Sequence, residues 1–508
     1  MILMKYLRHF NLKRKNISGY KMSSSPSNMM KSAVLILILC SGLTGTLAAQ
    51  DRGSIREIID NSAAASSFWS FQVRSSNGDV LEEFNGDNLI RPASNLKLVT
   101  SAAYLDQLGT DYQFETVLYG SGGQTGNRWD GDLYIRGAGD PSINGEAYDD
   151  PLFLFQRWYT ILDSMGVEVI DGNIIGHDGY FDDIPYPRGW EWDDLSYYYA
   201  PEISALSFNQ NVVDLEVSAN GEPGSRPSIT WFPFETPYVR FVNEQRITPE
   251  NTSFDESYRR ELGSNTIYLR STLPEGHYET EPLSVHNPSL YFIDTFKRYL
   301  QLMGIRVEGQ LLLSDDPVEW DNGTFTEIDS NRSKPLHTMI DRLNRESDNH
   351  YAEMLLKTLV AERYGVPGST ELGLEIVKGF MSNHGFDTTA VELRDASGMA
   401  PATLLKTSDL NSFLVDIQNE PYFDHYFESL SVAGQNGTLQ YRFYNSDITS
   451  NFYGKTGFMS GVRSISGYLD TESGERLVIT IATNNYTVRT AVVDRIHQRI
   501  LDYLYTRY

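Results

Sequence analysis

Apolar and polar residues alternate through "SFWSFQVRSSNGDVLEEFNGD", from residue 67, on both sides of Asn77-Gly78. Period-two alternation around Asn-Gly predicts an antiparallel hairpin. The pattern then changes to helical spacing in "SNLKLVTSAAYLDQLG", which predicts a helix ending at Gly109 with Ser94 in its first turn. Between about 116 and 284 the texture is different. Short strand-like pieces recur ("QFETVLYG", "GDLYIRG", "VVDLEVSA", "TIYLRST") among Gly, Asp, Tyr and Pro, with one helix in "PLFLFQRWYTILDSMG". Helices return in "NPSLYFIDTFKRYLQLMG" and "PLHTMIDRLNRESDNHYAEMLLKTLVAERYG". Three consecutive strands follow in "NFYGKTGFM", "GVRSISGYLDT" and "ERLVITIATNN". A last helix carries Val492, Ile496, Ile500, Leu501 and Leu504 on one face. Strands at both ends flanking a helical middle predict one α/β domain, an antiparallel sheet with helices, built from residues 50–115 and 285–508. Residues 116–284 are expected to be a mostly β insertion of one or two subdomains.

The first 49 residues stand apart. They hold seven basic residues and no acidic one, and they end in the apolar run "AVLILILCSGLTGTLAA". A basic flank, an apolar core and a small-residue exit describe a cleaved secretory signal peptide. The run is short for a membrane span, so at most peripheral membrane contact is expected. Met29 or Met30 would open a compact version of this leader. Cys40, the only cysteine, lies within it, preceded by Leu39 rather than the small residue a lipoprotein signal wants. The mature chain is therefore expected to have neither disulfides nor thiol chemistry, which fits a bacterial envelope. The net charge of −25 for the whole chain becomes −32 without the leader. Such a surface disfavours nucleic acid as a partner. The 508 residues suffice for several domains, and 40% hydrophobic with 21% charged residues is ordinary for a globular protein.

Three short stretches carry chemistry. Ser94 and Lys97 form S-x-x-K, Ser347-Asp348-Asn349 lies between two predicted helices, and Lys455-Thr456-Gly457 lies on a predicted strand. Ser94 alone would be read as a helix cap. Ser347-Asp348-Asn349 alone would be turn filler. In this order, however, the three motifs define penicillin-interacting serine enzymes. Positions i and i+3 of a helix face the same way, so Lys97 can reach the Ser94 hydroxyl. Serine needs a neighbour to take its proton, and lysine can do so only when burial or a second cation has lowered its pKa. Lys455 is the expected second cation and offers charge to a substrate carboxylate. Ser347 can relay a proton to a leaving group, and Asn349 can hold Lys97 and a substrate amide. The backbone N–H groups of Ser94 and Phe458 can form an oxyanion hole. The nine histidines show no metal-binding spacing, and no cofactor is expected.

With these motifs the chain resembles the D-alanyl-D-alanine carboxypeptidase/endopeptidase family of low-molecular-mass, class C penicillin-binding proteins, the peptidase S13 or penicillin-binding protein 4 type. The resemblance runs over nearly all of the expected mature chain. Ser94 and Ser347 are 253 residues apart, and a large insertion between these motifs marks the family. "LYIRGAGDPSI", "GWEWDDLSYYYAPEISALSFNQN", "RDASGMAP" and "VAGQNGTL" are similar to its pattern too, "GAGDP" and "SGMAP" being read as turn-setting. The resemblance implies a transpeptidase-like fold shared with serine β-lactamases and a periplasmic hydrolase acting on peptidoglycan stem peptides through an acyl-enzyme at Ser94. It further implies β-lactam antibiotics as acylating inhibitors. Phe458 departs from the small hydroxyl residue usual after K-T-G, which puts the carboxypeptidase strength in question. Ala396 departs from the family's glycine. One rival is a β-lactamase, but Leu343-Asn344 and Leu410-Asn411 are preceded by Ile340 and Thr407 where a deacylating glutamate would stand. The other is a catalytically silent wall-binding protein, which would ordinarily have lost a motif residue.

Overall fold

A computed structural model describes residues 54–508; the expected leader lies outside them. In chain order the elements that position the site are these. Helix α1 (Ile55–Asp60), strands β1 (Phe68–Ser75) and β2 (Val80–Phe84) and helix α2 (Lys97–Leu108) open the chain. Then come β3 (Glu115–Ser121), β4 (Leu133–Arg136), α3 (Phe153–Ser164), β5 (Ile174–His177), β6 (Val212–Ser218), β7 (Ser228–Phe232), β8 (Tyr278–Ser284), α4 (Pro288–Met303), β9 (Leu311–Ser314) and β10 (Phe325–Arg332). The chain continues through α5 (Leu336–Arg345), α6 (Asn349–Tyr364), α7 (Thr370–Asn383), α8 (Thr407–Asp416), β11 (Ser431–Val432), β12 (Phe452–Met459), β13 (Val462–Asp470), β14 (Arg476–Asn484) and α9 (Thr490–Arg507).

The first and last strands share one antiparallel sheet, in the order β2-β1-β14-β13-β12-β11. The hairpin turns at Asn77-Gly78, with Gly78 at φ 96°, a conformation that favours glycine. Both faces of the sheet are covered, so its central strands are apolar on both sides. Leu477, Ile479 and Ile481 face α1 and α9, while Val478 and Ala482 face a core shared with α2 and α5 to α8. Helix α2 is buried from Lys97 through Leu105. That placement explains its weak amphipathic pattern: it is a central helix surrounded by others.

A second core belongs to the excursion. Its main sheet runs β9-β5-β4-β3-β10, with α3 and α4 contributing to the core, and a smaller sheet runs β7-β6-β8. Residues 116–284 are largely strands, with α3 as the one long helix. One expectation changes here: the excursion does not end at residue 284. Helix α4 packs in the second core, β9 pairs with β5, and β10 pairs with β3, so the chain rejoins the first core only after Arg332. Strand β10, "FTEIDSNR", is largely polar and lies at an edge. Its partner is some 200 residues away, so local periodicity carries no sign of the pairing.

Candidate active site

The turn bearing Ser94 is a short 3-10 segment, Ala93–Leu96, that runs straight into α2. Ser94 does not cap α2; no side chain does. Ala93 adopts φ 48°, a left-handed conformation costly for a residue with a Cβ. The surroundings hold it there. Ser464 Oγ donates to the Pro92 carbonyl at 2.6 Å, and Asn95 Nδ2 donates to Ser466 Oγ at 2.6 Å. Two glycines permit the close approach. A Cβ on Gly457 would lie 2.6 Å from the Pro92 carbonyl oxygen, and one on Gly398 would lie 2.0 Å from that of Ala93. The turn is thus wedged between strand β12 and the loop 395–400.

Lys97 is fully buried beneath this turn. Its Nζ lies 3.0 Å from Ser94 Oγ, 2.6 Å from Asn349 Oδ1 and 2.8 Å from the Ser397 carbonyl oxygen. Burial lowers its pKa to about 8, against the opposing pull of Asp395, Glu353 and Asp348. Lys455, also fully buried, is pushed well below the ordinary lysine range by burial, by Lys97 and by Arg463. The Lys97 charge thus acts on Lys455, whereas the lowered pKa of Lys97 itself comes from burial rather than from Lys455 as the expected second cation.

Ser347 sits between α5 and α6 at φ 62°. Asp348 caps α6 by accepting the Tyr351 N–H at 3.0 Å and is held by Arg342 Nε at 2.8 Å. Asn349, the first residue of α6, turns its oxygen to Lys97 and donates its Nδ2 to the Tyr199 carbonyl at 2.7 Å. This amide is therefore already engaged, and the expectation that it also binds a substrate amide meets a donor that is in use. Thr456 Oγ1 donates to Thr438 Oγ1 at 2.8 Å. Phe458 is 59% exposed, with the Arg463 guanidinium 5.8 Å from its ring centre. Strand β11 pairs only with Tyr453 and Gly454. Among the described residues the outer edge of β12 from Lys455 to Met459 therefore has no partner strand.

Of the residues anticipated from sequence, hydrogen bonds join Ser94, Lys97 and Asn349, Gly457 packs on the turn bearing Ser94, and Lys455 feels the Lys97 charge. The contributions of Tyr199, Trp190, Asp395 and Ser397 were not anticipated. Asp395 is fully buried and accepts from Trp190 Nε1, Ser397 Oγ, Thr403 Oγ1 and the backbone N–H groups of Met399 and Ala400. It ties loop 395–400 into a fixed shape, so "SGMAP" is a turn-setting stretch. Asp140 of "GAGDP" likewise accepts from Ser142 N and Oγ. Tyr199 and Ser397 act through backbone carbonyls, which no side-chain type announces. Trp190 and Tyr199 both come from the excursion, so the second unit completes the site. Asn344 and Asn411, from the two Leu-Asn pairs, are buried and bonded to core serines and to sheet carbonyls.

Known proteins share this architecture. The Haemophilus influenzae penicillin-binding protein 4 crystal structure superposes with a TM-score of 0.78 at 23% identity, covering 89% of this chain and 99% of that one. A D-alanyl-D-alanine carboxypeptidase of an Actinomadura strain is 28% identical over 447 residues, 85% of this chain and 80% of its own. The D-alanyl-D-alanine carboxypeptidase DacB of Haemophilus influenzae is 26% identical over 417 residues, 80% of this chain and 83% of its own. The family model for the D-Ala-D-Ala carboxypeptidase 3 (S13) family matches residues 52–505. The paired buried lysines, the serine above one of them and this match over nearly the whole described chain place the protein in the D-Ala-D-Ala carboxypeptidase 3 (S13) family.

Proposed function

We propose that the protein is a serine D-Ala-D-Ala carboxypeptidase and endopeptidase that hydrolyses peptidoglycan stem peptides and their cross-links through an acyl-enzyme at Ser94. The observation that carries this reading is the three-bond environment of Lys97. A neutral amine has two N–H donors and one lone pair. Two of its three neighbours, the Asn349 and Ser397 carbonyl oxygens, can only accept. The lone pair is left facing the Ser94 hydroxyl, which is the geometry of a general base.

The steps follow from the groups present. Lys97 takes the Ser94 proton as Oγ forms a bond to the carbonyl carbon between two D-alanines. The backbone N–H groups of Ser94 and Phe458 stabilise the oxyanion. The C–N bond then breaks, and the leaving amine receives a proton from Lys97 by way of Ser347. Water attacks the ester, regenerating Ser94. The stem backbone can add to the free edge of β12 as an extra strand. A substrate carboxylate beside Lys455 and Thr456 would restore the charge that burial has made costly for Lys455. β-Lactams would acylate Ser94 in the same way, but their leaving amine stays tethered to the adduct. With the expected leader removed, the enzyme would work in the periplasm.

The test is incubation of wild type and Ser94→Ala with purified cross-linked muropeptides, following D-alanine release and dimer loss. The variant should lose at least ~1,000-fold in rate. Equal activity in the two proteins would sink the assignment.

A further inference from the structure

Glu353 lies one helical turn beyond Asn349 on α6, on the same face. It is fully buried, and the serine chemistry described above gives it no task. Its Oε1 accepts the backbone N–H of Ala396 at 3.0 Å and that of Ser397 at 2.9 Å, and its Oε2 lies 3.2 Å from the Ala396 nitrogen. From the other side, Thr100 Oγ1, on α2 one turn beyond Lys97, donates to the Ala396 carbonyl at 3.1 Å. The peptide units around Ala396 are thus clamped between α2 and α6. The group this clamp presents is the Ser397 carbonyl, one of the two pure acceptors on Lys97.

We propose that Glu353 is a positioning residue for the general base: it holds the Ser397 carbonyl against the Lys97 amine, and so aims the lone pair of that amine at Ser94. The inference rests on the acyl-enzyme reading of the site. Without the Ser397 acceptor a neutral Lys97 has only Asn349 to orient it. Its second N–H can then turn to Ser94 Oγ, where it blocks proton transfer instead of promoting it. Helix α6 would supply both orienting contacts, Asn349 directly and Glu353 through the loop.

The charges around this pair set its pH behaviour. Lys97 faces Asp395 from the loop, Glu353 from α6, Asp348 from the cap of α6, and Lys455 from β12. Glu353 faces Asp395, Lys97 and Tyr104 from α2. Burial, aided by Asp395, raises the Glu353 pKa to about 8. Any negative charge on Glu353 raises the Lys97 pKa. With its own pKa at about 8, Glu353 is largely uncharged below that pH and acts there as a neutral acceptor.

The test measures the second-order rate of acylation by a fluorescent penicillin from pH 5 to 10, with melting temperature as a check on folding. Glu353→Leu should lose at least about tenfold at the high-pH plateau, the scale of a misoriented catalytic group. Glu353→Gln, which keeps an acceptor oxygen, should recover most of that rate. Thr100→Val should reduce the plateau and leave the limb in place, because it removes no charge. If Glu353→Leu does not fold, the other two variants decide. A folded Leu variant acylated at the wild-type rate, a Gln variant with a plateau far below wild type, or a Thr100→Val variant with an unchanged plateau overturns the proposal. Wild type that fails to take up the penicillin, or Ser94→Ala that takes it up, would instead overturn the acyl-enzyme reading.

Discussion

Lys97 is where residue chemistry and position meet most closely. A lysine serves as a base only in its neutral form, and burial here brings its pKa to about 8. The sign is fixed by that direction: the acylation rate should climb as pH rises through about 8 and level off above it. A rate that falls across this range would exclude Lys97 as the base. Lys97→Met, similar in length but without a nitrogen, should abolish uptake of a labelled penicillin. Phe458 raises a different question at the same scale. On the proposed mechanism its backbone N–H would still serve the oxyanion, while a side-chain hydroxyl that could hold a terminal carboxylate is absent. Phe458→Thr should therefore raise D-alanine release from pentapeptide relative to cross-link cleavage, by about tenfold for one charge-assisted hydrogen bond. An unchanged ratio in product analysis would show that the hydroxyl has no such role.

Loop 395–400 acts as an element rather than as a set of side chains. It gives a carbonyl to Lys97, packs Gly398 on Ala93 and is shaped by Asp395. Gly398 combines φ 76° with no room for a Cβ. Gly398→Ala should cost about 2–4 kcal/mol of stability by strain and clash. It should also slow acylation, because relief of the clash displaces the Ser94 turn. Denaturant unfolding and penicillin uptake would check the two effects. Trp190→Phe keeps a ring but removes the N–H donated to Asp395. About 1–3 kcal/mol of stability should be lost with that buried donor, because one lone-pair site on Asp395 is left unsatisfied. An unchanged midpoint would show that water replaces it.

Across the whole molecule, the excursion between β3 and β10 reaches back to the chemistry through residues 186–203. Buried Arg260 donates to the Tyr186 hydroxyl and the Leu195 carbonyl, and lies 3.8 Å from Glu202. Glu202 in turn accepts from Tyr186, His286 and the Asn287 backbone. This network anchors the segment whose Tyr199 carbonyl orients Asn349. Arg260→Leu should destabilise the fold by about 3–5 kcal/mol, because Glu202 loses its buried partner. It should also slow acylation although residue 260 lies outside the motifs; calorimetry and penicillin uptake read the two effects. The amino-acid sequence by itself determined the hairpin, the terminal strands, α2 to α6, α9 and the eight motif residues. Each of these is written in local periodicity or in side-chain type. Tertiary structure alone decided that the excursion closes at Arg332, since β9 and β10 take their identity from partners distant in the chain. It also decided that Asn349 is oriented by Tyr199, and that Ser397, under Glu353, completes the surroundings of Lys97. Those contacts use backbone groups, which every residue carries alike, so only the folded path of the chain selects which of them meet the catalytic amine.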